Sequence, residues 1–218
     1  MIQMYGVSMR YKEDIEVLHE VNMSVEKQEF AFLVGSSGAG KTTVLRLLYH
    51  GLVPTEGQVI VAGHNLSKLK SAQLPDFRRK LGIVFQDFKL LPNKTVAQNI
   101  AFSMRVTGAR RPQIRRNVDR ALEWTNLTHR RDALPEDISG GEQQRTSIAR
   151  AMVNDPLLIL ADEPTGNLDP ELSLEIMNLF NRLNQQGTTV LVATHDINLV
   201  KHMGKRIIRI ERGRIVEE

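Results

Sequence analysis

The chain has 218 residues, enough for one well-filled core with a smaller subdomain attached but cramped for two independent domains. Its 41% hydrophobic and 25% charged residues are ordinary for a soluble globular protein and exclude an intrinsically disordered one. The absence of cysteine excludes disulfides and cysteine-based zinc or iron–sulfur sites. The net charge of +4 produces only a weak electrostatic attraction for nucleic acid.

The uncharged stretches of the sequence are short. A membrane-spanning helix needs about 20 apolar residues, and no uncharged stretch is that long. Residues 1–6 also lack the pattern of a signal peptide. We therefore expect that any work at a membrane goes through a partner protein.

The first part of the chain predicts short strands around one helix. Residues 7–11 and 21–25 are expected to be strands of an N-terminal sheet. The apolar run 30–34 ends in a glycine, which indicates a buried strand, and the pattern after it predicts a helix. That helix and the two further short strands are predicted at residues 41–49, 59–61 and 83–85.

The middle of the chain, residues 87–138, changes character. Helices are predicted at residues 95–106 and 112–124, the second with an apolar stripe along one face, and no strand pattern separates them. We therefore expect a helical subdomain at 87–138, inserted into a catalytic α/β core made of residues 1–86 and 139–218.

The last part of the chain alternates strands with helices. Residues 157–161 form another continuous apolar run, which again indicates a buried strand. The remaining elements are a helix at 170–186, a strand at 189–193, a short helix at 197–202 and a strand at 207–210. This alternation predicts a mostly parallel α/β sheet.

The strongest local motif lies at residues 35–43, between a predicted strand and a predicted helix. It matches the phosphate-binding pattern G-x-x-x-x-G-K-[ST], and this strand–loop–helix setting is the context that the pattern requires. Small residues let backbone N–H groups surround phosphates, Lys41 can reach the β- and γ-phosphates, and the Thr42 hydroxyl can ligate Mg²⁺. The alternative interpretation is a glycine-rich turn that binds no phosphate and contains a lysine by chance. The predicted ATP-binding residues of this loop are Gly35, Ser36, Ser37, Gly38, Ala39, Gly40, Lys41, Thr42 and Thr43.

A second motif follows the apolar run at 157–161. Asp162 and Glu163 come directly after this predicted strand, at the carboxyl end of a parallel sheet, where ligands bind in such folds. Asp162 is expected to hold Mg²⁺ and Glu163 to act as the general base on a water molecule. Taken alone, an apolar strand ending in two acids is common; the loop at 35–43 in the same chain favours the functional interpretation.

A third motif opens another helical pattern, with Ser139, Gly140, Gly141 and Glu142. A serine and two glycines at a helix start can bind an anion, or can simply cap the helix. One nucleotide rarely needs two phosphate-binding loops. A natural explanation is that this one serves the nucleotide held by a second copy of the protein.

These three motifs, in this order, resemble an ABC-type ATPase subunit, and the resemblance covers essentially the whole chain. It implies a P-loop NTPase fold of the ABC type, with a mostly parallel central sheet, an N-terminal antiparallel β subdomain and an inserted helical subdomain. Gln86 falls where the family has its Q-loop glutamine, Asp169 in the D-loop and His195 at the switch histidine. Tyr11 falls where the family stacks an aromatic ring on adenine.

The resemblance also implies a mechanism. Two copies pair head to tail and trap ATP between the loop of one and the Ser139 motif of the other. The implied catalytic residues are Glu163, His195, Lys41 and Gln86, and the implied Mg²⁺ ligands are Thr42, Gln86 and Asp162. A transmembrane partner would dock in a groove near Gln86, Phe88, Leu90 and Leu91, holding the chain at the cytoplasmic face of the cell membrane.

Three segments match a narrower subgroup, the bacterial cell-division ATPases that act with a membrane protein and thereby control peptidoglycan hydrolases: residues 85–92, 161–169 and 193–196. The D-loop form in 166–169 is shared with ATPases of lipoprotein release and of macrolide or peptide export, which stay an alternative. Two departures are Gln28, where a glycine is common before the glutamate, and Ile138, where leucine is commoner. A DNA-repair head is disfavoured, because only 52 residues separate Gln86 from Ser139 and they hold no sustained heptads.

Positive charge is concentrated in two segments. Residues 105–131 contain eight arginines, no lysine and two acids, and residues 201–214 contain six basic residues and one acid. They are either solvated helix faces or a surface for anionic lipid or an acidic partner segment. Nucleic acid is not expected, because Trp124 is the only aromatic residue of the first segment.

Overall fold

The computed structural model describes residues 1–11 and 15–217. Up to residue 84 the elements are β1 (Ile2–Tyr11), β2 (Ile15–Val25), β3 (Phe30–Val34), α1 (Lys41–Leu48), β4 (Glu56–Val61), β5 (His64–Asn65), α2 (Leu74–Arg79) and β6 (Leu81–Val84). After it come α3 (Val96–Val106), α4 (Arg111–Trp124), α5 (Gly140–Met152), β7 (Leu158–Asp162), α6 (Pro170–Gln185), β8 (Thr189–Thr194), α7 (Ile197–Met203), β9 (Arg206–Glu211) and β10 (Arg214–Glu217).

The strands form two sheets. The N-terminal sheet is antiparallel throughout, in the order β2-β1-β4-β5. The main sheet has the order β10-β9-β3-β8-β7-β6, in which all neighbours are parallel except the β9–β10 hairpin. Strands β3 and β8 are buried at every residue, which explains why both are continuous apolar runs.

Helices and the second sheet cover both faces of the main sheet. On one face α1 and the N-terminal sheet enclose a core that includes Leu33, Leu48 and Leu160. On the other face α5, α6 and α7 pack on the sheet through residues such as Phe32 and Phe180. This arrangement leaves the carboxyl ends of β3, β7 and β8 at one edge, where their following loops meet.

Residues 87–138 contain α3, α4 and two short 3₁₀ turns, with no strand assigned in this fully described stretch. A third core joins α3 and α4 to the outer side of α5, with Ile100 and Leu122 packed near Ala149 and Val153. The predicted helical character of this region agrees with the structure. The exact division of the chain at residues 86 and 139 stays a prediction.

Most predicted elements are present, with different bounds. The strands predicted at 7–11 and 21–25 are parts of the longer β1 and β2, and Phe85 lies just beyond β6. The sequence analysis did not predict β5, α2 or β10. These elements are short and partly exposed, so their sequences carry no continuous apolar run.

The β9–β10 turn ties the two sheets to the loop at 35–40. Gly213 N–H donates to the Ala39 carbonyl at 3.0 Å, and the Gly213 carbonyl accepts from His19 N–H at 2.9 Å. Gly213 has φ +76°, and a Cβ there would lie 2.2 Å from the Val17 carbonyl oxygen. Only glycine fits this turn.

None of the helices in the described residues has the length and apolar character needed to cross a membrane.

Candidate functional site

The loop from residue 35 to 43 connects β3 to α1 in a shape that requires its glycines. Gly40, which precedes the first residue of α1, has φ +111°, outside the range that other residues adopt readily. A Cβ at Gly35 would lie 2.3 Å from the Ile210 carbonyl oxygen of β9. The loop is therefore held tightly against the main sheet.

The Lys41 side chain lies inside this loop. Its Nζ donates to the carbonyl oxygens of Gly35 at 2.8 Å and Ser36 at 3.0 Å, and it lies 3.2 Å from Glu163 Oε1. Lys41 is only 6% exposed. A buried ammonium group is thus positioned where the loop backbone can surround an anion.

Glu163 follows β7 and meets His195, which follows β8. Its backbone is left-handed, with φ 46°, and its N–H donates to the Ala193 carbonyl at 2.9 Å. Its Oε2 lies 2.9 Å from His195 Nδ1. The carboxylate is largely buried while the imidazole is exposed, so the pair lies at the mouth of the loop. An unfavourable backbone conformation held in this way is typical of functional sites.

Asp162, the last residue of β7, accepts a hydrogen bond from Thr42 Oγ1 at 3.1 Å. Burial raises the pKa of the Asp162 carboxyl, and the Thr42 hydrogen bond offsets part of that rise. Thr42, Asp162 and Gln86 line one small cleft of ≈ 320 Å³. The donor set is one carboxylate, one hydroxyl and one amide, which are the oxygen ligands that Mg²⁺ prefers.

A cleft of ≈ 330 Å³ unites most of the predicted nucleotide site. Its lining includes the predicted residues Ser37, Gly38, Gly40, Lys41, Thr42, Thr43, Gln86, Glu163 and His195. Tyr11 lies beside it, with its hydroxyl 3.3 Å from Thr43 Oγ1. Val17 of β2 also lines the cleft and was missed, because nothing in its sequence setting distinguishes it from other strand valines.

The Ser139 motif forms the start of α5. Ser139 Oγ accepts from Glu142 N–H at 3.3 Å and donates to Glu142 Oε2 at 3.0 Å, a reciprocal cap. Arg130 Nε donates to Glu142 Oε1 at 2.8 Å. Burial alone would raise the pKa of Glu142, but the hydrogen bonds from Arg130 and Ser139 lower it to about 2.

The two glycines of this motif have different surroundings. A Cβ at Gly141 would lie 2.4 Å from a methyl group of Leu172 in α6. A Cβ at Gly140 would meet nothing within 4 Å. Gly141 is therefore required by packing within the chain, whereas nothing in the described residues requires glycine at position 140.

Five predicted site residues stand apart from the cleft. Ser139, Gly140, Gly141 and Glu142 are not among the described residues that line it, nor is Asp169. Asp169 instead caps α6, accepting from Leu172 N–H at 2.9 Å. The structure thus brings the loop at 35–43 and the Glu163 region together, and leaves the Ser139 motif at another surface of the same chain.

Arg150 near the end of α5 is a further residue that the sequence analysis missed. It donates to the carbonyl oxygens of Lys89 at 2.5 Å and Phe88 at 2.6 Å. Both of those residues have left-handed backbone, with φ 48° and 55°. Arg150 thus holds the turn that follows Gln86. No local pattern joins residues 61 and 62 positions apart, so sequence reasoning had no signal for these contacts.

With this geometry established, comparison with known proteins gives the class. The profile described as ABC transporter matches residues 18–166, more than half of the chain. The chain belongs to the ABC transporter family. This match confirms the predicted P-loop fold of the ABC type and the predicted class of enzyme, an ATPase.

The relatives of the chain narrow the family to one group of proteins. The chain is 49% identical over 217 residues to the cell division ATP-binding protein FtsE of Streptococcus pneumoniae, covering 100% of this chain and 94% of the relative. It is 47% identical to the FtsE of Mycobacterium tuberculosis and 44% identical to that of Bacillus subtilis, covering 100% of this chain and 95% and 96% of those relatives.

Solved structures share the fold. A dimeric ATP-binding cassette, MJ0796, in a post-hydrolysis state bound to ADP and Pi, superposes with a TM-score of 0.91 at 35% identity, covering 100% of this chain and 97% of that one. The cbiO1 protein of Clostridium perfringens, part of the ABC transporter complex cbiONQ, has a TM-score of 0.91 at 28% identity, covering 99% and 86%.

Proposed function

We propose that this chain is the ATP-hydrolysing subunit of a bacterial membrane complex that acts in cell division, with a transmembrane partner of the FtsX type. Through that partner it would control peptidoglycan hydrolases outside the membrane. The cell-division role rests on the FtsE relatives at 43–49% identity over 99–100% of the chain. The observation that carries the ATPase activity is the meeting of Lys41, Glu163 and His195 at the mouth of the glycine-rich loop.

The loop at 35–43 binds the phosphates of ATP. Its N–H groups and the start of α1 supply partial positive charge, and Lys41 supplies a full one. Tyr11 stands beside Thr43, where its ring can stack on adenine. Lys41 now shares its charge between two loop carbonyls and Glu163, so binding of a phosphate requires it to exchange the Glu163 contact for phosphate oxygens.

The residues beside the loop fit Mg²⁺. Thr42, Asp162 and Gln86 would hold it, and the cation would favour the charged form of the half-buried Asp162 carboxyl, whose pKa burial raises. When bound, Mg²⁺ neutralises charge on the β- and γ-phosphates. A site with a single carboxylate suits Mg²⁺, because this ion usually keeps water molecules and substrate phosphates among its ligands.

Hydrolysis is phosphoryl transfer to water, so the protein contributes position and charge. Glu163 accepts a hydrogen bond from the attacking water and orients it toward the γ-phosphate. His195 orients Glu163 through the 2.9 Å contact and holds the γ-phosphate from its exposed side. Lys41 stabilises the negative charge that develops on the transferring group.

A second copy completes the site. The Ser139 motif is not part of the lining of the cleft in its own chain, and no contact among the described residues requires glycine at position 140. A head-to-tail dimer would bring Ser139, Gly140 and Gly141 of one copy to the ATP of the other, with Asp169 at the junction. The dimeric state named for the MJ0796 cassette supports this arrangement.

The transmembrane partner would dock in a groove between α2, β6 and α3, which we call the partner groove. Its lining includes apolar residues and cationic residues, among them Leu74, Phe85, Phe102, Val106, Arg78, Lys89 and Arg150. Phe102 and Val106 are 44% and 66% exposed and stand one turn apart on α3, so together they give the groove an exposed apolar pair. Phe85 and Lys89 line the groove, so it adjoins Gln86, Phe88, Leu90 and Leu91, the residues near which the partner was predicted to dock, although these four are not part of its lining.

This docking would make the chain a peripheral protein at the cytoplasmic face of the cell membrane. Arg150 lines the partner groove and also holds the turn after Gln86, so a bound partner would be linked to the ATP site through that turn.

The ATPase proposal is tested with Glu163→Gln. The amide keeps the shape of the side chain but cannot act as a base, so turnover should fall by about 10²–10⁴-fold while ATP affinity is retained. Phosphate release and binding of a fluorescent ATP analogue measure the two properties. Glu136→Gln, at an exposed position outside the cleft, is the matched control and should leave both unchanged. Normal turnover of Glu163→Gln would remove Glu163 from the mechanism.

The cell-division proposal has an export ATPase as its second candidate, since residues 166–169 have a form that export systems share. Co-expression with the membrane protein encoded beside this chain separates the two. A stable complex with a protein of four membrane helices and a large outer loop supports the FtsX type of partner. A complex with a subunit of a lipoprotein-release or drug-export system would instead establish the second candidate.

A further inference from the structure

Five arginines at the junction of α3 and α4 make no ion pair with any residue that the structure describes. They are Arg105, Arg110, Arg111, Arg115 and Arg116, and we call them the arginine surface; all five are exposed. The other three arginines of the segment are paired, Arg120 with Asp155, Arg130 with Glu142 and Arg131 with Asp119. Five positive charges therefore remain within 12 residues, none of them in an ion pair with a described residue.

The position of these charges is unfavourable for the isolated chain. Arg110 and Arg111 stand at the start of α4, where the helix itself carries partial positive charge, and the first turn contains no acid. Arg111 and Arg115 are one helical turn apart, so their charges repel each other. A partner that supplies negative charge would relieve both effects.

The arginine surface borders a cleft with an apolar floor. Arg105, Arg111 and Arg115 line a cleft of ≈ 720 Å³ between α3 and α4. Its floor is made of Ala97, Ala101, Ile114 and Val118, of which Ala101 and Val118 are buried. Guanidinium groups around an apolar floor suit a polypeptide segment that alternates carboxylates with apolar side chains, because arginine binds carboxylates in a bidentate manner.

This cleft and the partner groove are separated by α3 alone. Phe102 and Val106 line the partner groove, while Ala101 and Arg105 of the same helix line the arginine cleft. A helix is about 10 Å across, which three or four extended residues span. We propose that the arginine surface binds an acidic cytoplasmic segment of the same transmembrane partner, adjoining the part that docks in the partner groove. This inference rests on the partner groove of the proposed function.

The shape favours a polypeptide over a lipid surface. The arginine cleft is concave, and Trp124, the one aromatic residue of residues 105–131, packs against Arg182 and is only half-exposed. A flat surface of lysines with exposed aromatic rings would suit anionic lipid headgroups better.

The test uses the full chain with Arg111→Glu and Arg115→Glu combined. Both positions are exposed, and glutamate in the first turns of a helix favours the helix, so the variant should fold at least as stably as the natural chain. Lys201→Glu with Arg214→Glu is the matched control, with the same change in charge on the other basic segment. Affinity for the transmembrane partner in phosphatidylcholine nanodiscs is measured at low and high ionic strength.

We expect the Arg111/Arg115 variant to bind the partner at least about tenfold more weakly at low ionic strength and to lose most of the salt dependence. The control variant should bind within about twofold of the natural chain, and basal ATPase activity should be unchanged in both. Unaltered affinity and salt dependence of the Arg111/Arg115 variant would overturn the inference.

Two further measurements separate the other outcomes. Vesicles containing phosphatidylglycerol, without the partner, should not bind the chain; binding that the Arg111/Arg115 variant loses would assign the surface to lipid instead. Phe102→Asp with Val106→Asp should abolish partner binding through the partner groove. If this last variant binds normally while the arginine variant does not, the partner groove is wrong and the arginine surface stands.

Discussion

Glu163, Phe88 and Lys89 hold left-handed backbone at the nucleotide site, at a cost of about 1–3 kcal/mol each. The surrounding contacts sustain them, with Ala193 holding Glu163 and Arg150 holding the other two. Gln28 has the same backbone form, with φ 64°, in the turn before β3 and outside the cleft lining. At this residue the sequence departs from the family pattern, which often has glycine there.

Gln28→Gly should therefore stabilise the chain by about 0.5–1 kcal/mol, because glycine adopts positive φ without a steric penalty. Urea unfolding followed by circular dichroism measures the change. Gln113→Gly is the control: in the first turn of α4, glycine should cost up to about 1 kcal/mol. A loss of stability in Gln28→Gly would show that its side chain matters more than its backbone.

At the scale of elements, α5 connects three parts of the molecule along its length. Its start forms the Ser139 motif, its middle packs on both the main sheet and the helical region, and Arg150 near its end holds the turn after Gln86. Movement of this helix would affect the partner groove and the motif offered to a second copy together.

The two glycines at the start of α5 give a matched pair of substitutions. Gly140→Ala should leave stability unchanged or slightly higher, since its Cβ meets no atom within 4 Å, yet it should impair ATPase activity and ATP-dependent dimerisation. Gly141→Ala should lower the melting temperature, because its Cβ clashes with Leu172. Thermal unfolding and phosphate release measure both effects. Full activity of Gly140→Ala would argue against contact of this residue with nucleotide from a second copy.

Glu142 makes the stability of α5 depend on pH. Its pKa of about 2 in the folded protein lies below the ordinary 4.5, so its stabilisation is fully present above pH 4.5 and is lost as pH falls toward 2. The free energy of unfolding of Glu142→Gln should thus differ most from that of the natural chain above pH 4.5, and the two values should converge at lower pH. Urea unfolding over this pH range measures both free energies. Glu175→Gln, at an exposed carboxylate paired with Arg145, should show a much smaller difference.

The sequence predicted the buried parallel strands because each contains an unbroken apolar run, as at residues 158–161 of β7 and 190–193 of β8. It predicted the glycine-rich loop and the two acids after β7 because their spacing along the chain carries the chemistry. It could not predict the Arg150 contacts, because they depend on residues that are brought together only by the complete fold.

At the scale of the whole molecule, the two parts of the nucleotide site that we propose to act between copies do not line one cleft. The loop at 35–43 and Glu163 share one cleft, and the Ser139 motif lies outside the residues that line it. If two copies join head to tail, each dimer contains two composite sites, and a defect in one half of a chain affects only one of them.

Mixing two inactive variants tests this arrangement. Lys41→Ala and Ser139→Arg should each be inactive alone, but their mixed dimer contains one site with an intact loop and an intact Ser139 motif. ATPase activity should therefore return to roughly a quarter of the natural level in an equal mixture. The control mixes a chain that carries both substitutions with either single variant, so no dimer in that mixture has an intact site and activity should stay absent. Absence of recovery in the first mixture would contradict a site shared between copies.

The turn at Gly213 has a consequence for how the protein is made. The loop at 35–40 is tied to Gly213, and β3 lies between β8 and β9, so a nascent chain that has emerged only as far as residue 200 has neither the tie nor the β9 edge of the sheet. The loop, although translated early, can therefore take its final shape only after Gly213 and β9 have been made. We expect ATP to bind weakly to a chain that lacks this tie, so that ATP stabilises the fold only once β9 and β10 are in place.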